Sequence, residues 1–148
     1  MVIEKATVED ITELCYLLGI LFSQEIEFKA DANAQKRGLR AIVTNPDVGV
    51  ILVARHNDSL VGMVNILFTV STALGGRVAI LEDMIVLPSR RGSGVGSQLL
   101  KAAIVTARKN NCQRLTLLTD SDNEIAHRFY EKHGFTRSPM LPFRFVLS

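Results

Sequence analysis

The chain has 148 residues, of which 47% are hydrophobic and 22% are charged, and its formal net charge is +2. This is ordinary globular composition at the usual size of one domain, so residues 1–148 are expected to form a single domain. The small net charge argues against a nucleic-acid partner, and no apolar run reaches the roughly 20 residues needed to cross a membrane.

Cysteine and histidine placement argues against a metal site. Cys15 and Cys112 show no CxxC spacing and have no histidine at ligand spacing, so free thiols in a reduced compartment are the simplest interpretation. His127 and His133 lie six residues apart, which is the wrong spacing for one helix face, and we expect both at the surface. The N-terminus lacks the charged-then-apolar layout of a signal peptide, which predicts a cytoplasmic protein.

The first part of the chain predicts one strand and two helices. A short strand covers residues 2–6, and Thr7 stands where a helix N-cap is expected. Apolar side chains then recur at i, i+3, i+4 and i+7, which predicts a helix with one core-facing stripe: Ile11, Leu14, Cys15 and Leu18. A more polar helix over residues 32–43 should end before Pro46 and act as a lid or peripheral element.

The rest of the chain predicts a meander followed by alternating helices and strands. Strands are expected over residues 48–55, 60–70 and 77–87, separated by turn residues. A helix follows to about Asn110, then a strand over 114–119, a helix from Asn123 to Gly134, and two final strands at 135–137 and 143–147. The order β-α-α-β-β-β-α-β-α-β-β describes a mixed sheet with helices on its faces, in the α/β or α+β class.

The most informative segment is the glycine-rich turn Arg91-Gly92-Ser93-Gly94-Val95-Gly96, between a strand and a helix. Its backbone N–H groups converge at the positive end of the helix dipole, and its glycines let a phosphate approach the backbone. Arg91 adds a cation at the rim. These features predict a phosphate or pyrophosphate site. No Gly-Lys-Ser/Thr follows, so it is not a P-loop, and the third glycine falls one position early for a dinucleotide fingerprint.

This turn resembles the acetyl-CoA motif of the GNAT acetyltransferases, Arg/Gln-x-x-Gly-x-Gly/Ala. Residues 123–135 are similar to the family's N-x-x-A-x-x-F-Y-E-K-x-G-F signature, and the element order agrees with a whole GNAT domain. The resemblance implies the GNAT acyl-CoA N-acyltransferase fold. It also implies acetyl-CoA as co-substrate, no metal, and direct acetyl transfer to a primary amine in a ternary complex.

The resemblance also implies roles for matched positions. Backbone groups of the turn would hold the pyrophosphate beside Arg91: Gly92, Ser93, Gly94, Val95, Gly96 and Ser97. The strand edge would pair with the pantetheine arm at Met84, Ile85 and Val86, while Asn123 and Ala126 would contact the arm from the other side. Tyr130 would be the general acid that protonates the leaving thiolate, and simple packing is its alternative role.

Two adjacent carboxylates, Glu82 and Asp83, lie in an otherwise apolar strand, where neighbouring side chains point to opposite faces. Carboxylates there are costly unless used or paired, so one should reach the active cleft. We take Glu82 as the base and Asp83 as its structural partner or a second acceptor contact. An edge-strand salt bridge is the alternative.

The acceptor itself is left open by the sequence. The Leu-Glu-Asp-x-x-Val arrangement resembles the diamine and polyamine acetyltransferase branch, which favours a small-molecule amine over a protein N-terminus or lysine. Phe22, Phe28 and Phe68 are interpreted as core residues, with an acceptor pocket as the alternative. A non-catalytic acyl-CoA-binding regulatory module is the second functional hypothesis. Many family members form homodimers, and no feature of this sequence decides the oligomeric state.

Overall fold

The computed structural model describes residues 1–24 and 31–148. They form two compact units, Met1–Leu118 and Thr119–Ser148, and each is described by itself. A single N-acetyltransferase domain over residues 1–148 therefore stays a prediction. No helix in the described part of the chain is both long enough and apolar enough to cross a membrane. The cytoplasmic location likewise stays a prediction.

The first unit contains five strands and three α-helices in its described residues. In chain order they are β1 (Val2–Lys5), α1 (Ile11–Gln24), α2 (Ala32–Val43), β2 (Gly49–His56), β3 (Ser59–Ser71), β4 (Gly76–Val86), α3 (Val95–Lys109) and β5 (Leu115–Leu117). The strands lie in the order β1-β2-β3-β4-β5, antiparallel except for the parallel pair of β4 and β5. The predicted mixed sheet is confirmed.

Helices cover both faces of this sheet. The apolar stripe of α1 packs with Leu39 of α2 against alternate side chains of the central strands, including Ile51, Val53 and Met63. On the opposite face α3 approaches β3 so closely that a Cβ added at Gly62 would lie 2.9 Å from Leu99 Cδ1. Because both faces of the sheet are covered, the sequences of β2 and β3 are nearly continuous apolar runs.

The helix starts follow from local hydrogen bonds. The carboxylate of Asp10 accepts from the Thr7 N–H at 2.9 Å, and a short 3₁₀ turn over Val8–Asp10 precedes α1. Asp31 caps α2 by accepting from the Ala34 N–H at 3.2 Å. In the second unit α4 spans Glu124–Lys132, and Gly134 follows it with a φ of 96°, as the sequence predicts for a helix end.

The two final strands, expected at 135–137 and 143–147, are not formed. No helix or strand occurs in the chain after Gly134, and apolar side chains there are exposed, with Phe143 at 96%. Pro139 and Pro142, which have no N–H group to donate to a sheet, lie between the two expected strands. The observed order is β-α-α-β-β-β-α-β-α.

Candidate active site

A β-bulge in β4 sets the position of the two carboxylates. Met63 of β3 pairs with Ile85, and Asn65 pairs with Glu82, so β4 has one residue more than β3 between these pairs. Asp83 lies within the bulge and has a φ of 55°, the left-handed conformation that aspartate tolerates better than most residues. The bulge interrupts the alternation of side chains along the strand.

As a result, Glu82 and Asp83 line the same pocket. The expectation that these neighbours point to opposite faces is therefore wrong, because it assumed a regular strand. This pocket, which we call the acceptor pocket, has a volume of about 300 Å³ between α1, α2, β3 and β4. Its apolar wall comes from the two helices and from β3: Leu18, Phe22, Leu39, Ile42 and Leu67. Its polar wall carries five side chains: Asp31, Gln35, Asn65, Glu82 and Asp83.

Both carboxylates hold their protons more tightly than usual. Burial raises the pKa of Glu82, and the negative charge of Asp83 raises it further. Burial also raises the pKa of Asp83, although a hydrogen bond from Asn65 Nδ2 to Asp83 Oδ2 at 3.3 Å partly opposes this shift. A carboxylate pair of this kind can take up a proton nearer neutral pH than an exposed one.

The sheet opens beside these carboxylates. The pairing of β4 with β5 ends at Leu81 and Leu117, whereas β4 continues to Val86. The end of β4, at Met84, Ile85 and Val86, therefore lies beside β3 on one edge. Within the first unit no strand pairs with its other edge. An unpaired edge offers backbone N–H and C=O groups to an extended ligand. Arg91 Nε donates to the Val86 carbonyl at 3.3 Å at the end of this edge.

The glycine-rich turn follows directly and fits a phosphate. Gly92 and Gly94 have φ values of 78° and 88°, and a Cβ added at either would meet nothing within 4 Å. The first bond of the α3 ladder is the one that Gln98 N–H donates to the Gly94 carbonyl at 3.1 Å, so the amides of Val95, Gly96 and Ser97 precede it. Ser93 Oγ donates to the Arg90 carbonyl and braces the turn.

The second unit holds the remaining predicted residues on α4. Asn123 is the N-cap, and its side-chain oxygen accepts from the Ala126 N–H at 3.1 Å, so this pair begins the helix. The ring of Tyr130 packs edge-on against Phe129 and Phe135, with centroids 5.2 and 5.8 Å away. Burial raises the pKa of Tyr130, which keeps its hydroxyl protonated at neutral pH.

Comparison with known proteins identifies the family. Residues 9–135 match the model of the Acetyltransferase (GNAT) family. This chain belongs to the GNAT family.

Relatives and solved structures agree with this assignment. The uncharacterised N-acetyltransferase YhfO of Bacillus subtilis is 35% identical over 78% of both chains. The aminoalkylphosphonate N-acetyltransferase of Salmonella typhimurium is 30% identical over 90% of this chain and 83% of its own. A predicted acetyltransferase from Clostridium acetobutylicum, solved with acetyl-CoA, has the same fold with a TM-score of 0.79, 20% identity, and 97% and 95% coverage. The chain is an acetyl-CoA-dependent N-acetyltransferase.

Three polar residues of the acceptor pocket were missed at the level of sequence: Asp31, Gln35 and Asn65. Asn65 is the one polar side chain within the apolar run from Leu60 to Phe68 of β3, a signal that was available. Gln35 gave no comparable signal, because it lies among other polar residues of α2. Of the three phenylalanines, Phe22 lines the pocket, Phe68 packs under the Arg77 guanidinium at 4.7 Å, and Phe28 lies outside the described residues.

The expectation that His127 lies at the surface is wrong. Its side chain is 8% exposed, with Nε2 2.8 Å from the Asp120 carbonyl oxygen and Nδ1 2.8 Å from an Arg137 guanidinium nitrogen. Since a guanidinium can only donate, Nδ1 accepts from Arg137 and Nε2–H donates to Asp120, so both ring nitrogens are hydrogen-bonded. These partners lie before and after α4, so the spacing of residues on the helix alone does not indicate that His127 is buried. His133 is half-buried and bonds the Phe129 carbonyl at 2.9 Å.

Proposed function

We propose that this N-acetyltransferase transfers the acetyl group of acetyl-CoA directly to the primary amine of a small molecule in a ternary complex. The observation that carries the proposal is the acceptor pocket, in which Glu82 and Asp83 lie together beside the unpaired edge of β4. Its volume of about 300 Å³ is at the small end of ligand pockets, which supports a small acceptor. The name of the Salmonella relative also indicates a small amine as acceptor.

The chain's own groups suit the parts of acetyl-CoA. The amides of Gly92–Ser97, beside Arg91, would bind the pyrophosphate, because a helix N-terminus favours an anion. The edge at Met84, Ile85 and Val86 would pair with the pantetheine arm, and a backbone N–H there would polarise the thioester carbonyl. Asn123 and Ala126 would contribute contacts from α4. The bound acetyl-CoA in the Clostridium structure supports this use of the fold.

The chemical step then needs one base and one acid. Glu82 would remove the proton from the ammonium form of the acceptor, directly or through water, because an ammonium ion has no lone pair. The amine nitrogen attacks the thioester carbonyl carbon, forming the C–N bond as the C–S bond breaks. The nitrogen loses its second proton to solvent water, and the sulfur receives a proton from the Tyr130 hydroxyl. Tyr130 then regains a proton from water and Glu82 releases its proton to water, so that CoA leaves as the thiol and one proton is released overall. Asp83 would hold the acceptor and raise the basicity of Glu82.

Acetyl-CoA should raise the melting temperature of the protein, since a ligand that binds only the folded state stabilises it. NAD at the same concentration should have much less effect. Release of CoA should then require an added small amine, which a thiol-detecting assay can follow. Equal stabilisation by NAD contradicts the cofactor assignment. Binding of acetyl-CoA without CoA release for any amine, aminoglycoside, amino acid or peptide would instead favour a non-catalytic acyl-CoA-binding module.

The substitution Gly94→Val should weaken acetyl-CoA binding by at least about tenfold, which is about 1.4 kcal/mol. The added side chain enters the open space beside the helix amides, where the phosphate is proposed to lie. Gly75→Val is a matched control, because Gly75 also has a positive φ, 73°, and open space around it, but lies in the turn between β3 and β4. Equal affinities of the two variants for acetyl-CoA by calorimetry would place the phosphate site elsewhere.

A further inference from the structure

Two buried amides in the wall of the acceptor pocket each lack one hydrogen bond. Gln35 is 8% exposed and Asn65 is 2% exposed, and both line the acceptor pocket, while Gln35 also lines a neighbouring pocket beside Cys15. Gln35 Nε2 and Asn65 Oδ1 have no hydrogen-bond partner among the described residues. Buried polar atoms of folded proteins are nearly always paired, because an unpaired one destabilises the folded state. Two such atoms in one pocket wall indicate partners that a ligand supplies.

The bonds that the amides do make fix what each one offers. Asn65 Nδ2 donates to Asp83 Oδ2 at 3.3 Å, so the free atom of Asn65 is a carbonyl oxygen, which accepts. Cys15 Sγ donates to Gln35 Oε1 at 3.1 Å, so the free atom of Gln35 is an NH₂ group, which donates. A ligand that satisfies both amides must therefore supply one N–H donor and one acceptor atom.

The charge of the pocket lining further restricts the class of ligand that can bind. Asp31, Glu82 and Asp83 place three carboxylates on the lining, and every charged side chain that the structure describes there is acidic. Such a wall attracts an ammonium group and repels a phosphonate or carboxylate. The oxygen that Gln35 meets is then an uncharged one.

We infer that Gln35 and Asn65 determine acceptor specificity, and that the acceptor is a short primary alkylamine bearing an uncharged oxygen, such as an ether, carbonyl or hydroxyl. This inference rests on the proposed function. Asn65 Oδ1 accepts an N–H of the reacting amine beside Glu82 and Asp83, while Gln35 Nε2 donates to the oxygen. The acceptor class thus differs from the aminoalkylphosphonates in the name of the Salmonella relative.

The test compares two amines of the same shape, 2-methoxyethylamine and n-butylamine, with 3-aminopropylphosphonate as the anionic probe. The full chain should show kcat/KM about tenfold higher for 2-methoxyethylamine than for n-butylamine, at equal concentrations of free amine and saturating acetyl-CoA. A site built to bond an oxygen discriminates against the analogue that lacks it. Equal values for the two amines, or the highest value for 3-aminopropylphosphonate, would overturn the inference without using any variant.

Variants then assign the two amides. Gln35→Met keeps the side-chain length and should bring the ratio of kcat/KM for the two amines close to one. Asn65→Leu should lower kcat/KM for both amines alike, because it removes the contact to the shared nitrogen. Gln113→Met, at an exposed position outside the pocket, should leave the ratio unchanged. A ratio that Gln35→Met leaves unaltered contradicts the role of Gln35.

Failure of this inference is distinguishable from failure of the proposed function. The stabilisation of each variant by acetyl-CoA reports whether it is folded and binds its co-substrate. If acetyl-CoA binds and no amine releases CoA, the proposed function fails. If amines are acetylated without preference for the oxygen, the function stands and the specificity assigned to Gln35 is wrong.

Discussion

Replacing Tyr130 with phenylalanine should lower kcat by about 10²-fold, the lower range for loss of a positioned general acid. The ring packs against Phe129 and Phe135, and phenylalanine keeps those contacts while removing the hydroxyl alone. Burial raises the pKa of Tyr130, so the hydroxyl is available as a proton donor throughout the neutral range. Acetyl-CoA affinity should barely change, because the hydroxyl acts on the thiolate that forms during the reaction.

Tyr16→Phe is the matched control, since Tyr16 is the other tyrosine of the chain and is 68% exposed on α1. Steady-state kinetics with a single-turnover measurement would separate the chemical step from product release. A Tyr130→Phe enzyme whose single-turnover rate equals that of the wild type would show that this residue only packs.

Glu82→Gln should lower kcat/KM for the acceptor by about 10²-fold near neutral pH, because the variant cannot remove the ammonium proton. The defect should shrink as the pH rises, since free amine then becomes available without the enzyme's help. A pH profile of kcat/KM at saturating acetyl-CoA measures both effects. Glu9→Gln removes the same charge at an exposed position and should leave the profile unchanged.

Asp83→Asn should move the acidic limb of the same profile to lower pH. Burial and, as the smaller cause, the charge of Asp83 raise the pKa of Glu82, so its base form exists only at higher pH than for an isolated glutamate. Removing that charge lowers the pKa of Glu82, and the active, ionised form then appears at lower pH. Asparagine also tolerates the left-handed conformation of residue 83.

The opposite pattern assigns the roles differently. If Glu82→Gln leaves the profile unaltered while Asp83→Asn abolishes its acidic limb, Asp83 is the base. If neither substitution changes the profile, the base lies outside β4.

Much of the fold was predictable because its elements carry local signals. The period of 3.6 residues in α1, the polar helix over Ala32–Val43 and the three strands of the meander appear close to their predicted positions. The last two strands failed because a run such as Phe143–Leu147 has strand propensity, yet a strand exists only when a neighbouring edge pairs with it.

The sequence by itself determined the family and the backbone conformation of the glycine-rich turn. Arg91–Gly96 and Asn123–Phe135 are contiguous motifs, and in such motifs positive φ values, helix caps and free amides depend on residues a few positions apart. These are local physical requirements, so the order of residue types reveals them.

Only the tertiary structure decided how the acceptor pocket is built. The bulge in β4 exists because β3 and β4 pair with unequal numbers of residues, and this register places Glu82 and Asp83 on one pocket. The hydrogen bonds that leave one amide atom of Asn65 and one of Gln35 unpaired join residues 18 and 20 positions apart in the chain, respectively. Which atom of a buried amide lacks a hydrogen-bond partner depends on residues brought together by folding, so the sequence can mark Asn65 as unusual but cannot show which of its atoms is unpaired.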